Sequence, residues 1–336
     1  MVYEFGSKEI SGIPYSWPCI ETGCKDAKVN PLTDPRVAKI LRKLGMKHYC
    51  LQWSFGQEGE EENKLEEPWG MATNSRGHFI IADNKDHNVK VYSRSGSFLY
   101  SFSPVPDAPS TAVCIHDVAT NKNNDIYVLL TLNKPGAGTD EAASYVYMKT
   151  PNRTIPLKED FRSWSWTWSS LAVTDNNKIV VRGALADGHH VVDVYKIDDG
   201  QFVRRFGKGA LEVSSCVAAA NDGGVIVASG GRDSYCVNVF SKKGKRLHHF
   251  KVERSLDYLQ TTFHQASEHV VVAGINVERG KENHLEVLIY TKEGEYVRSI
   301  QYEEEDIIYV RGITVTTDGR IAVIYKDKVG FKVLVT

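Results

Sequence analysis

The chain has 336 residues, of which 42% are hydrophobic, 10% aromatic and 25% charged, the balance of an ordinary folded protein and not of a disordered one. Its 41 Lys and Arg nearly cancel its 42 Asp and Glu, so a formal net charge of −1 provides no protein-wide field for nucleic acid or an anionic membrane, and any binding face must be local. No apolar run approaches the roughly 20 residues of a membrane-spanning helix, and Met1-Val2-Tyr3-Glu4-Phe5 lacks the basic and apolar regions of a secretory signal, so a cytoplasmic location is expected.

Residues 1–48 read as an extension. They begin irregularly, with Gly12, Pro14, Pro18 and Gly23, and one short helix follows, with Asp34 as N-cap, Pro35 at the first helical position, an apolar stripe of Val37, Ile40, Leu41 and Leu44, and Gly45 as the stop. The six cysteines, Cys19, Cys24, Cys50, Cys114, Cys216 and Cys236, show no metal-binding spacing and read as thiols in a reducing compartment. A single glycosylation sequon, Asn152-Arg153-Thr154, is expected by chance in a chain of this length.

From residue 49 to 336 the chain is a repeat. The segment that begins at Met71 can be laid without gaps over segments beginning at Val118, Leu171, Val217, Thr262 and Ile313, and each places an apolar residue eight positions on: Phe79, Ile126, Ile179, Val225, Val270 and Ile321. Between the two strands of each segment stands a polar turn, such as Ser75-Arg76-Gly77, Asn123-Asn124-Asp125 or Thr317-Asp318-Gly319, built from residue types that tolerate positive φ. The second half of each module supplies two further strands, as in Val89-Lys90-Val91-Tyr92, a turn through Gly96, then Phe98 to Phe102. The second module is degenerate, because no glycine turn follows Tyr145-Val146-Tyr147-Met148. Four strands per module, six times, is an all-β six-bladed β-propeller.

The sixth module ends after Phe331 to Thr336 and lacks its fourth strand, which would leave a sheet edge unpaired. Tyr49-Cys50-Leu51-Gln52-Trp53-Ser54-Phe55-Gly56 has the form of that strand, so an N-terminal strand is expected to close the ring. Trp53 and Phe55 are then expected to be buried at the closure, with Trp53→Ala costing about 3 to 5 kcal/mol.

Pro68-Trp69-Gly70-Met71-Ala72, Gly77 to Asp83, His87-Asn88-Val89-Lys90-Val91-Tyr92 and Gly96-Ser97-Phe98-Leu99 together closely resemble one NHL repeat. The other five modules match less well, Gly312-Ile313 with Asp318-Gly319-Arg320-Ile321 being the best of them. The resemblance implies an NHL-type six-bladed propeller over residues 49–336, like the C-terminal propellers of tripartite-motif proteins. In those proteins the propeller binds RNA or protein, and a separate RING domain carries ubiquitin-ligase activity. The sequence has no RING or B-box pattern of cysteine and histidine and no coiled coil, so ligase activity is not carried over.

In such a blade the loop before the first strand and the loop between the second and third emerge on one face, the candidate binding face. The segments entering the first strands contain Trp69, His116, Trp168, Tyr258, Tyr309 and Arg311; the loops after the second strands contain Lys85, His87, Arg182, His190, Arg232, Arg279 and Lys326. Aromatic residues interleaved with Arg, Lys and His suit stacked single-stranded RNA. Against this stand two acidic runs on the same face, Glu58 to Glu67 and Glu303 to Asp306, in neighbouring blades, which suit a basic peptide instead. A basic run, Lys242 to Lys251, is assigned to the outer rim as charged protection of an edge strand. Trp164, Trp166 and Trp168 alternate with small polar residues and are expected to pack between blades.

The competing class is a propeller hydrolase or lyase holding a metal in its channel. His116 with Asp117, His264 and His189-His190 are the candidates, but His116 precedes its strand by two positions whereas His264 follows the start of its own by two. No G-x-S-x-G, H-E-x-x-H or phosphate-cradling loop occurs. The expected function is a non-catalytic recognition or adaptor module for a protein partner, with RNA on the same face as the alternative and with no cofactor, metal, DNA or membrane partner.

Overall fold

Alternating apolar residues and turns at a fixed phase give one structural unit repeated around an axis. The computed structural model describes residues 53–59, 61–105, 113–132, 143–150, 152–158, 161–162, 169–231, 234–252, 256–277, 283–302 and 306–335. The helix expected over 35–44 and the three tryptophans of 164–168 lie outside these residues, which contain β-strands and no helix long and apolar enough to cross a membrane.

Strand β1 spans Trp53–Phe55. The first blade is β2 (Pro68–Thr73), β3 (Phe79–Asp83), β4 (Asn88–Tyr92) and β5 (Phe98–Phe102); the second is β6 (Val113–Thr120), β7 (Ile126–Leu132), β8 (Ala143–Met148) and β9 (Arg153–Pro156). A short β10 (Phe161–Arg162) precedes the third blade, β11 (Ser170–Thr174), β12 (Lys178–Leu185), β13 (His190–Lys196) and β14 (Phe202–Phe206). The fourth is β15 (Ser214–Ala219), β16 (Val225–Gly231), β17 (Ser234–Phe240) and β18 (Arg246–Lys251); the fifth is β19 (Leu256–His264), β20 (His269–Asn276), β21 (His284–Thr291) and β22 (Tyr296–Gln301). The sixth runs β23 (Tyr309–Val315), β24 (Ile321–Lys326) and β25 (Phe331–Val335).

Each blade is an antiparallel meander, and the sixth sheet has the order β1-β25-β24-β23, so the N-terminal strand supplies the fourth strand that the C-terminal end lacks. The third sheet departs from the four-strand expectation: β10 pairs with Ala184 and Leu185 of β12, beyond the end of β11, and makes a fifth strand. The innermost strands β2, β6, β11, β15, β19 and β23 touch one another in cyclic order around the axis. All six turns between first and second strands hold a residue at positive φ, namely Gly77, Asn124, Asn177, Gly223, Glu268 and Gly319. Glu268 is the exception in residue type. The degenerate second blade uses Asn152, at φ 23°, where other blades use glycine.

The core is a set of slabs between neighbouring sheets. Leu129, Val146 and Ile155 of the second blade pack with Leu171, Val181 and Tyr195 of the third, and Ile226, Val237 and Val239 of the fourth with Phe263, Val270 and Tyr290 of the fifth. Middle strands are therefore covered on both faces and read as nearly continuous apolar runs. Near the rim, an aromatic residue from one outermost strand meets the third strand of the next blade: Phe206 lies 4.9 Å from Phe240 and Phe250 5.1 Å from Tyr290. Gly294 serves this seam twice, since its φ of 99° suits the turn and a Cβ there would lie 2.6 Å from the Phe250 ring.

Phe55 of β1 occupies the equivalent place, 5.1 Å from Tyr92 and 5.0 Å from Phe79. Trp53 and Phe55 are half-buried, not buried as expected, because β1 is an outermost strand with one edge toward solvent. The expected cost of truncation falls accordingly. Phe55→Ala should destabilise by about 2 kcal/mol, less than full burial would imply; urea unfolding measures it, and a change below about 0.5 kcal/mol contradicts closure through this ring.

Candidate functional site

An innermost propeller strand is an edge strand whose outward-facing N–H and C=O groups have no ladder partner, and here side chains from the adjacent blade supply one. Asp117 accepts the Leu171 N–H and the Ser170 hydroxyl, both at 2.8 Å; Ser170 Oγ accepts the Val217 N–H at 3.2 Å; Cys216 Sγ accepts the Thr261 N–H at 2.7 Å. Thr120 donates to the Thr73 carbonyl and Thr73 to the Val315 carbonyl, each at 2.7 Å. The belt is tight. A Cβ on Gly70 would lie 2.0 Å from Asp117 Oδ1, which fixes glycine after Trp69.

Directly above this belt, at the start of the inner strands, the ladder to the second strand slips in five blades. Pro68 pairs with Asp83 and Gly70 with Ala82, leaving Trp69 as the extra residue; by the same slip His116, Ser215 and Arg311 are extra in the second, fourth and sixth blades. In the fifth blade Tyr258 and Leu259 stand opposite Gly274. A β-bulge re-aims its extra residue out of the ladder, and it is this device that brings the Trp69, His116, Tyr258 and Arg311 side chains to the mouth of the axis.

They form an arc across four blades. The Tyr258 and Tyr309 rings meet edge-on at 5.0 Å, the Arg311 guanidinium lies 5.0 Å from the Tyr309 centroid and 5.3 Å from Trp69, and Trp69 meets His116 edge-on at 6.0 Å. Tyr258 is held at φ 54°, a costly conformation for a bulky residue. The arc opens on an axial cavity of about 430 Å³, whose remaining upper wall is small or polar: Ser169, Ser170, Cys216, Gln260 and Thr261.

Several expected site residues belong elsewhere. Arg182 has no exposed surface: it lies in β12 beneath the neighbouring sheet and binds His190 Nδ1 at 2.7 Å, so it is not available to a ligand. Burial, aided by Arg182, lowers the His190 pKa to about 4, and burial alone lowers that of His116 to about 4, so both rings are neutral at pH 7. His116 Nε2 bonds Thr131 Oγ1 at 2.8 Å. Lys85 is exposed but paired with Glu66 at 2.9 Å, and His87 sits half-buried in the β3–β4 turn. Trp168, Arg232 and Arg279 lie outside the described residues.

Glu60 and Glu303 to Glu305 lie outside the described residues; the described members of the acidic runs mostly have local partners. Glu58 pairs with Lys326 at 3.2 Å, Glu61 with Lys64 at 3.3 Å and Asp306 with Lys328 at 2.7 Å, while Glu62 accepts from Ser101. The first run is anchored from below. Asp83 accepts the backbone N–H groups of Glu66 and Glu67 and, with Asp86, pairs with the fully buried Lys90, which also donates to the Lys64 carbonyl. Sequence reasoning missed this anchor, although Asp83 and Lys90 are both in the NHL-like motif and Asp86 stands between its segments.

The family model of the NHL repeat matches residues 65–92, which span β2 to β4. The first blade carries an NHL repeat. Similar proteins include the E3 ubiquitin-protein ligase TRIM71 of Rattus norvegicus, 42% identical over 45 residues that make up 13% of this chain and 5% of that protein. Protein brain tumor of Drosophila melanogaster is 21% identical over 221 residues, 65% of this chain and 15% of that protein, and Protein lin-41 of Caenorhabditis elegans is 35% identical over 46 residues, 14% and 4% respectively. The chain thus spans a small part of the relatives it matches. Among solved structures, a glucose dehydrogenase superposes with a TM-score of 0.55 at 12% identity, covering 81% of this chain and 96% of the enzyme, a likeness that shows the fold alone.

Asp117 links the belt to pH. Burial pushes its pKa up to about 7, against three hydrogen bonds, from Leu171, Ser170 and Val118, that favour the carboxylate. Because the folded value exceeds the unfolded one, near 4, the folded state binds more protons between these values, and stability should fall as pH rises from about 4 to 7 and level off above. The expected loss is on the order of 2 kcal/mol, since Asp117 is partly open to the cavity. Asp117→Asn should flatten that limb of the stability–pH curve while costing one backbone N–H its acceptor; an unchanged slope in denaturant titrations would contradict the assignment.

Proposed function

We propose that the propeller is a non-catalytic recognition module that docks a protein partner on the face formed by the inner-strand entries and the loops after the second strands. One observation carries this reading: on that face charge is spent locally while apolar side chains are not. The described cations there are paired (Lys85, Lys326, Lys328), buried (Arg182) or flanked by rings (Arg311). The exposed large hydrophobic residues fall into two groups. Leu99, Tyr100, Leu247, Tyr296 and Val297 lie on outermost strands, and Val213, Tyr258, Val277, Ile308 and Val329 all lie on this one face. A phosphate backbone needs a row of available cations, whereas a protein interface needs desolvated apolar and aromatic anchors.

Catalysis has little support. Among the described residues no group of three or more His, Cys, Asp or Glu is placed to hold a metal. The Cys216 thiol, pushed up to about 12 mainly by burial, stays protonated and is a poor nucleophile. The match to the relative named as a ligase covers 5% of that protein, so the ligase activity is not transferred.

Tyr258→Ala combined with Ile308→Ser should abolish co-purification of protein partners under RNase treatment, while a variant on the opposite face, Lys122→Ala, retains them. Crosslinking to RNA that depends on Arg311 and weakens steeply with salt would overturn the protein reading in favour of RNA.

A further inference from the structure

On the side of the ring away from the strand entries, the turn between the third and fourth strands of a blade can clip it to the blade before. Arg94 of the first blade pairs with Asp318 of the sixth at 2.7 Å, and Lys292 of the fifth with Asp222 of the fourth at 2.8 Å. Lys242 holds the same place in the fourth blade, since it precedes Gly244 as Arg94 precedes Gly96 and Lys292 precedes Gly294. Its clip is missing. Asp318 and Asp222 stand just before the positive-φ residue of their turns, and in the third blade that place, before Asn177, is taken by Asn176. Asn176 Oδ1 accepts from the Thr174 hydroxyl just as Asp318 accepts from Thr316, and it adjoins Gly223 as Lys242 does, but it has no charge to offer. Lys243, Lys245, Arg246 and Lys251 follow. All five cations are exposed and, among the described residues, none has an ion pair or a side-chain hydrogen bond.

Protection of an open edge does not require this charge, because β5 is also the last strand of its sheet and contains no cation, while β22 contains Arg298 alone. β18 offers more than charge. It pairs with β17 on one side and with no strand on the other, and its bulge residue, Leu247, is exposed among the cations. Phe250, the one Phe, Tyr or Trp of this stretch, packs on Tyr290 at 5.1 Å. A phosphate chain gains nothing from an exposed leucine, and single-stranded bases find no such ring free to stack on. An extended acidic peptide uses the open edge, the cations and the leucine together. We propose that β18 and the turn before it form a docking edge for an acidic segment of a second protein. The segment adds to β18 as a strand, sets its carboxylates beside the five cations and lays an apolar side chain on Leu247. Main-chain hydrogen bonds supply affinity in such an addition, and alternate side chains supply selectivity. This surface is separate from the docking face at the strand entries and does not rest on it.

The test is fluorescence anisotropy of the full chain with a short labelled peptide in which glutamates flank a central leucine. Binding should saturate. Lys243→Glu combined with Lys245→Glu should weaken it by about tenfold or more, with an unchanged melting temperature because neither side chain is engaged in the fold. The same peptide methylated at alternate backbone nitrogens keeps its charge but cannot complete a ladder, and should bind about tenfold more weakly. Absence of saturable binding, insensitivity to the charge reversals, or equal binding of the methylated peptide overturns the proposal. So does tighter binding of a uridine oligonucleotide that the same reversals abolish, which would make the strip a phosphate seat. Self-association of the chain abolished by those reversals overturns it too, since the occupant would then be an acidic run of another copy. Tyr258→Ala combined with Ile308→Ser should leave peptide binding unchanged; its loss there would put the peptide on the entry face instead.

Discussion

The propeller depends on satisfying the backbone of six edge strands that face each other around an axis. Each would leave N–H and C=O groups buried and unpaired, at a cost of roughly 1 to 3 kcal/mol apiece. The solution is lateral: Asp117, Ser170 and Cys216 each accept an N–H from the following blade, and Thr73 and Thr120 donate to carbonyls of the preceding one. This explains why the positions just below the mouth hold small polar residues or glycine. It also explains why a carboxylate, a hydroxyl and a thiol at equivalent positions need not be catalytic, since each already has a structural acceptor role.

The side chains proposed for recognition stand one residue upward, on the bulges. Because a bulge residue owes nothing to the ladder, its identity is free to vary, and these positions hold Trp69, His116, Tyr258 and Arg311. The repeat phase, the positive-φ turns and the closing strand were all legible in the sequence, since each depends on local residue types at fixed spacing. The bulges were not. An inserted residue breaks strand alternation by one place, and with only five or six residues per strand Trp69-Gly70 or Arg311-Gly312 looks like ordinary loop-to-strand entry. Arg182 misled for a related reason: it follows the apolar run Ile179-Val180-Val181 and reads as the start of a loop, but β12 continues to Leu185 and is covered on both faces.

Charge on the entry face follows a similar logic of local settlement. Lys90, without exposed surface, ties Asp83 and Asp86 together beneath the first acidic run, and the run's own carboxylates meet lysines above it. Long acidic stretches in a sequence suggest a field, but three-dimensional pairing cancels most of it within a few ångströms. Among the described residues, the lysines beside Glu58, Glu61, Glu66 and Asp306 leave this face with little net field of its own.

The strand β1 is made before any of the sheets and its partner β25 after all of them. While the polypeptide emerges from the ribosome, the nascent protein is therefore an open arc in which Phe55 can already pack on Phe79 and Tyr92 but the edge of β1 has no strand to pair with, and no amount of early folding can supply one. Only the arrival of β25 turns the arc into a ring. Loss of β25 thus unlatches both ends of the ring at once, and a nonsense mutation that removes it leaves two complementary sticky edges on one molecule, free to be satisfied by another copy.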